Sequence, residues 1–207
     1  MSLTTALYFR EPEIETIDLS AVTQYDDWGI FEHCGPNRSG KTMLSATEAW
    51  LAYLAGLDVW CNCPTNPFTG EVEHILNFPH FDYWPTELFD LGLKRCYVMV
   101  DQAEQFMDAQ GATKEVRNLG NWAYQAKKRT LAFHYDTVRH KNIYNRIRLN
   151  PDWIIYTKRH PSNWKEPIQA VELEITQDEN SRTRYIVDPI GKNITKLYND
   201  VVMVRPE

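Results

Sequence analysis

Eight consecutive residues constrain this chain more than any others: Gly35-Pro36-Asn37-Arg38-Ser39-Gly40-Lys41-Thr42, which fit the pattern G-x-x-x-x-G-K-[ST]. The flanks give the pattern its weight. Gly29 to Cys34 reads as a buried strand that ends at Gly35. From Thr42, residues Leu44, Thr47, Leu51, Leu54 and Ala55 recur at helical spacing, and Gly56 is a helix stop. A strand, a glycine-rich turn and a helix N-terminus in that order gather backbone N–H groups around one point, where an anion is held. Lys41 is then placed to reach the β- and γ-phosphates of ATP, and the Thr42 hydroxyl to ligate Mg²⁺.

The elements that follow predict an α/β fold. Asp58 to Asn62 reads as a strand, and the proline-interrupted stretch 62–95 as a loop-rich connection. Cys96 to Val100 is a continuous apolar run of the kind buried on both faces of a parallel sheet. Val116, Leu119, Ala123 and Ala126 mark a helix, Thr130–Tyr135 a strand, Val138–Leu149 a basic helix and Trp153–Thr157 another strand. Trp153 and Tyr156 are expected to point into the core. Beyond them Val171, Leu173 and Ile175 alternate with polar residues, and Arg184–Val187 and Thr195–Tyr198 follow, as in an antiparallel meander. The expectation is one domain over 1–207: a RecA-like P-loop core over about 28–160, with a mostly parallel sheet flanked by helices, and a β extension over about 166–204.

Charge is unevenly spread. The net charge of −6 argues against a nucleic-acid binder until it is mapped. Residues 1–35 carry seven acidic side chains against Arg10 alone, whereas 126–165 carry ten basic side chains against Asp136 and Asp152. Such polarity lets an acidic chain present a basic face to a phosphate backbone. No apolar run approaches the ~20 residues of a membrane helix, and the first residues lack a basic flank followed by an apolar core. The four cysteines sit where reduced thiols are the default, and no Cys/His spacing suggests zinc. A cytosolic protein without a membrane span is expected.

Asp101, at the end of the apolar run Cys96–Val100, is the candidate second ligand for Mg²⁺. The ordered set of the phosphate loop, Val98-Met99-Val100-Asp101-Gln102-Ala103-Glu104-Gln105-Phe106-Met107-Asp108, then Ala126-Lys127-Lys128-Arg129 and Arg146-Ile147-Arg148 resembles viral genome-packaging ATPases of the FtsK–HerA type. Zonula-occludens-toxin-like ATPases and tailed-phage terminases share parts of the pattern. The resemblance covers about residues 28–160, and only the phosphate loop is specific.

That resemblance implies an ATPase that translocates double-stranded DNA into a preformed capsid. It works as a homo-oligomeric ring in the host cytoplasm or at a virion vertex, against capsid or portal-vertex proteins. Such ATPases often carry a glutamate directly after the strand-end aspartate to polarise water. Here that position is Gln102, and Glu104 is the substitute base. The polar sensor falls on Asp136, or on His134 or Thr137 if the register differs. Arg146 or Arg148 would complete a neighbour's site, and Lys127, Lys128 and Arg129 would face DNA or the ring channel. Two other readings stay open: a small-molecule P-loop kinase, against which no arginine-rich lid is evident, and a nucleotide-gated assembly protein without turnover, motivated by Gln102.

Overall fold

The computed structural model describes residues 16–17, 27–62, 68–110, 113–163, 165–166, 168–178, 181–187 and 196–198. Among the described residues nine strands form one sheet: β1 (Thr16–Ile17), β2 (Gly29–Cys34), β3 (Asp58–Asn62), β4 (Phe81–Tyr83), β5 (Cys96–Val100), β6 (Ala132–Thr137), β7 (Trp153–His160), β8 (Ala170–Asp178) and β9 (Ser181–Val187). Their order is β1-β9-β8-β7-β2-β6-β5-β3-β4. Every pairing from β7 across to β4 is parallel, whereas β7–β8 and β8–β9 are antiparallel. The predicted α/β core and C-terminal meander are both present. β6 stands between the phosphate-loop strand β2 and the Asp101 strand β5, which brings its own C-terminal end between the two.

Each strand of the core feeds two hydrophobic layers, because successive side chains leave opposite faces. Phe31, Tyr97, Met99, Ala132 and Ile155 pack with Met43, Leu44, Ala46 and Ala49 of α1 (Lys41–Leu54). Ile30, Val98, Val100, Phe133 and Tyr135 pack with Leu119, Trp122 and Ala123 of α2 (Lys114–Ala123), and with Ile143 and Ile147. Leu44 is 2% exposed, so truncating it to Ala would cost about 2–5 kcal/mol. Val171, Leu173 and Ile175 bring the meander into the α1 layer.

Four local expectations are corrected. The stretch 62–95 contains β4, paired in parallel with β3 from Trp60↔Phe81 to Asn62↔Tyr83, and the Tyr83 hydroxyl fastens this edge by donating to the Met99 carbonyl. The predicted helix 138–149 is a 3-10 turn at His140–Asn142 and a separate short helix, α3 (Asn145–Arg148). Ile143 and Tyr144 are extended between them, because Ile143 bridges Asp108 and the Tyr144 N–H donates to the Met107 carbonyl. Arg139 and Arg146 therefore share no helical face. The strand read as 130–135 begins at Ala132, since Thr130 takes a left-handed turn at φ 56°, and runs on to Thr137. Trp153 is buried as expected, but Tyr156 is exposed, because period two along β7 puts the odd-numbered residues inside.

Of the last predicted strand, Tyr198 forms an antiparallel bridge with Leu76, and Thr195 lies outside the described residues. Cys34, Cys61 and Cys96 are buried; Cys63 lies outside the described residues. No helix among the described residues is long and apolar enough to cross a membrane.

Candidate functional site

The phosphate loop joins the end of β2 to α1 by backbone conformations that side chains would oppose. Gly40 has φ 104°, and a Cβ there would stand 2.6 Å from Val171 Cγ2. A Cβ on Gly35 would fall 2.7 Å from Thr157 Oγ1 and 2.8 Å from the Thr157 carbonyl. The Ser39 and Thr157 hydroxyls hydrogen-bond at 2.6 Å, tying the loop to β7. Pro36, Asn37 and Arg38 form its exposed crest. The Lys41 ammonium donates to the Gly35 and Pro36 carbonyls, at 2.8 and 3.0 Å, and so stays over the loop.

Thr42 and Asp101 meet as the motif requires: the Thr42 hydroxyl donates to Asp101 Oδ1 at 3.1 Å. Asn62, at the end of β3, clamps the Asp101 backbone from both sides. Its side-chain amide donates to the Asp101 carbonyl at 3.0 Å and its oxygen accepts the Asp101 N–H at 2.8 Å. Burial, then the charge of Asp136, push the Asp101 carboxyl up to about 7. Two crowded carboxylates beside a hydroxyl form an all-oxygen donor set that fits a hard divalent cation such as Mg²⁺.

Asp136, the predicted sensor, is 1% exposed and does not reach the loop mouth as a free side chain. Its Oδ1 accepts from the Ser45 hydroxyl at 2.6 Å and lies 3.0 Å from His33 Nδ1. His33 Nε2 is 3.2 Å from Glu48 Oε2, which in turn is 3.0 Å from His134 Nδ1. Burial lowers the His33 pKa, but Glu48 and Asp136 outweigh it and raise it to about 10, so His33 is an imidazolium between two carboxylates. His134, the alternative sensor, is enclosed in the core, stacked between Phe31 and Tyr97. Thr137 is 1% exposed, and its hydroxyl donates to the Arg139 carbonyl.

Gln102 and Glu104 part company at the end of β5. Gln102 adopts a left-handed conformation, φ 53° and ψ 48°, and its side-chain oxygen accepts from the Gln105 amide at 2.6 Å. Glu104 is half-buried, and its Oε2 is buried without a hydrogen-bond partner. Its charge is one of those acting on the Cys34 thiol, the residue before the loop, which burial and Glu32 push up to about 11. Glu32 stands on the same face of β2. Its Oε2 accepts from the Tyr135 hydroxyl at 2.9 Å and lies 2.7 Å from His140 Nδ1, whereas its buried Oε1 has no hydrogen-bond partner.

No protein-family model matches the sequence, and no curated protein does. Solved structures do match. The N-terminal domain of zonular occludens toxin from Neisseria meningitidis aligns with a TM-score of 0.59 at 14% identity, over 83% of this chain and 99% of that one. The genome-packaging NTPase B204 of Sulfolobus turreted icosahedral virus 2 aligns at 0.51 and 14%, over 81% and 100%. The pCW3 conjugation coupling protein TcpA aligns at 0.52 and 13%, over 81% of this chain and 62% of that one. The chain is folded as a P-loop NTPase. At these identities the likeness is one of fold, and it agrees with the resemblance read from the sequence.

The basic residues at 127–129 lie away from the loop. Lys127, Lys128 and Arg129 form a turn that leads into the N-terminal end of β6, opposite the end that carries the loop. Lys127 pairs with Asp152, Lys128 is exposed, and Arg129 donates to Gln125 Oε1. Arg146 is exposed and donates to Asn121 Oδ1, with exposed Tyr124 and Leu149 lining the same groove. Arg148 is half-buried and donates to the Lys141 carbonyl and Asn145 Oδ1. Among the described residues neither arginine forms a salt bridge.

The sequence reading missed His33, Ser45, Glu48, Asn62 and Glu32. Two signals were available: polar side chains inside the strand that precedes the loop, and Glu48 on the face of α1 that carries Leu44 and Leu51.

Proposed function

We propose that this protein is an ATP-hydrolysing motor that drives double-stranded DNA into a preformed viral capsid. The observation that carries the ATPase reading is the phosphate loop backed by Thr42, Asp101 and Asp136, with the unpartnered Glu104 carboxylate near the loop's start. The DNA-packaging reading rests on the fold shared with B204, a genome-packaging NTPase solved with ATPγS and AMPPCP, and on the basic stretch 126–165.

The loop's backbone N–H groups and Lys41 bind the β- and γ-phosphates. Thr42 and Asp101, with Asp136 behind, would hold Mg²⁺, which would supply neutralisation of the phosphate charge. Glu104 orients and deprotonates the attacking water; Gln102, bonded to Gln105, does not. Arg146 enters the site of the next subunit in a ring, its groove with Tyr124 and Leu149 forming part of the subunit contact. Lys127, Lys128 and Arg129 contact DNA phosphates without reading sequence.

The test is the steady-state ATPase rate with and without double-stranded DNA, at about 50 and 200 mM salt, in wild type and Lys41→Ala. DNA-stimulated turnover that salt suppresses and Lys41→Ala abolishes supports the motor. Turnover indifferent to DNA removes it. The pairing of Gln102 with Gln105 favours a second reading, a nucleotide-gated assembly protein, which predicts tight ATP binding with no turnover.

A further inference from the structure

The connection that leads into edge strand β4 carries His74 and His80, and β4 itself carries Asp82; none of the three takes part in the nucleotide site. His80 Nε2 stands 2.8 Å from Asp82 Oδ1, and His74 Nδ1 stands 2.9 Å from Asp82 Oδ2, so one carboxylate offers an oxygen to each imidazole. The other nitrogen of His80, Nδ1, lies 2.7 Å from the Phe78 carbonyl. A carbonyl oxygen only accepts, so Nδ1 carries the hydrogen and, in the neutral ring, Nε2 presents a lone pair. A lone pair 2.8 Å from a carboxylate oxygen is repulsive unless a proton or a metal ion lies between the two. An imidazole whose outer N–H is held by a backbone carbonyl, with its inner nitrogen beside a carboxylate, is the arrangement that orients a metal-bound histidine.

We propose that His74, His80 and Asp82 form a site for a zinc-class transition-metal ion at the edge of the sheet. The three ligand atoms lie within 4.8 Å of one another. The two imidazole rings meet at 5.9 Å and 72°, edge to face rather than stacked. Two tetrahedral ligands, each ~2.1 Å from one ion, stand ~3.4 Å apart, so the two N···O approaches here, at 2.8 and 2.9 Å, would open by about half an ångström to admit the ion. Two imidazoles and a carboxylate select zinc, cobalt or nickel; magnesium prefers oxygen and water. His80 is 7% exposed and fixed by Phe78, whereas His74 at 57% and Asp82 at 35% leave the ion a path from solvent and open positions for water. A bound ion would clip the 74–82 connection to β4, whose Tyr83 is anchored to Met99 of β5. The site does not depend on the proposed motor function.

The test uses the whole chain, stripped with a chelator and titrated with Zn²⁺ by calorimetry in excess Mg²⁺. A His74→Gln variant, at an exposed position, serves alongside Asp82→Asn, and both are checked for an unchanged circular dichroism spectrum without metal. The expected result is one saturable Zn²⁺ site per chain, weakened at least tenfold in each variant, and Co²⁺ absorption free of thiolate charge transfer. No saturable binding up to about 100 μM, undiminished binding in His74→Gln, or a thiolate band from the cysteines would each overturn the proposal.

Discussion

His33 Nδ1 stands 3.0 Å from Asp136 Oδ1, and this contact links the phosphate-loop strand to the carboxylate that faces Asp101. Behind it the polar chain continues through Glu48 to His134, all at 0% exposure, in the layer between the sheet and α1. A charge chain of this kind is costly to bury and costlier to break, because removing one partner leaves its neighbour charged and unpaired. Its geometric consequence is local: Asp136 is held by Ser45 and His33 in a fixed position against Asp101, so the carboxylate pair is preorganised before a cation or nucleotide arrives.

Stability should depend on pH through this chain. His33 is raised to about 10 from an ordinary value of 6.5, so its contribution is fully present below 6.5 and is lost as pH rises toward about 10. Burial of Glu48 alone would raise its pKa, but His33 and His134 hold it below the usual 4.5, so its contribution is present above 4.5 and lost as pH falls. Burial holds the His134 pKa below 6.5, so its contribution is lost as pH falls below 6.5, and urea midpoints measured from about pH 4 to 10 should peak near pH 6.5. Glu48→Ala should cost about 3–5 kcal/mol and flatten the alkaline limb. An alkaline limb of unchanged steepness in Glu48→Ala would show that the imidazolium is not held by this carboxylate.

Gly40→Ala should damage the loop without touching its chemistry. The residue sits at φ 104°, where a side chain is strained, and Val171 Cγ2 occupies the place of its Cβ. Strain alone is worth about 1–3 kcal/mol. The expected result is a lower melting temperature together with weaker ATP binding. Adding Val171→Ala should recover part of the stability, because it removes the clash but not the backbone strain.

The parts of the fold that were legible in the sequence are those fixed by local rules. The loop, its strand and its helix follow from glycines and apolar spacing over 29–56, and β5 from an uninterrupted apolar run ending in Asp101. What was not legible depends on distant partners. β4 is three residues long and exists because β3 offers it an edge. The break at Ile143 and Tyr144 exists because residues 107 and 108 lie beside them. The site divides the same way: Lys41, Thr42 and Asp101 announce themselves by motif. The clamp by Asn62 and the bracing of Asp136 by His33 and Ser45 need the strand order β2-β6-β5-β3 before they can be seen.

Glu104→Gln should lower the ATPase rate by about 10²–10⁴ while leaving ATP affinity within a few-fold, as expected for loss of a general base. Gln102→Ala should change the rate by no more than a few-fold, since its side-chain oxygen is engaged with Gln105. Both are measured as kcat with nucleotide binding in parallel. If Glu104→Gln retains full turnover, Glu32 becomes the carboxylate to test, because its Oε1 is also buried without a hydrogen-bond partner.

Arg146 and Arg148 should separate in a subunit-mixing experiment. Arg148 is half-buried and spends both terminal nitrogens on its own chain, on the Lys141 carbonyl and Asn145. Arg146 is exposed, makes one bond to Asn121, and shares its groove with Leu149 at 74% and Tyr124 at 60% exposure, an apolar rim that a neighbouring subunit can cover. A trans arginine typically contributes about 10³–10⁵ in rate. Doping wild-type protein with Arg146→Ala subunits should therefore depress ATPase activity more steeply than the mutant fraction, whereas Arg148→Ala subunits should act only in proportion. A proportional fall for Arg146→Ala would remove it as the residue that completes a neighbour's site.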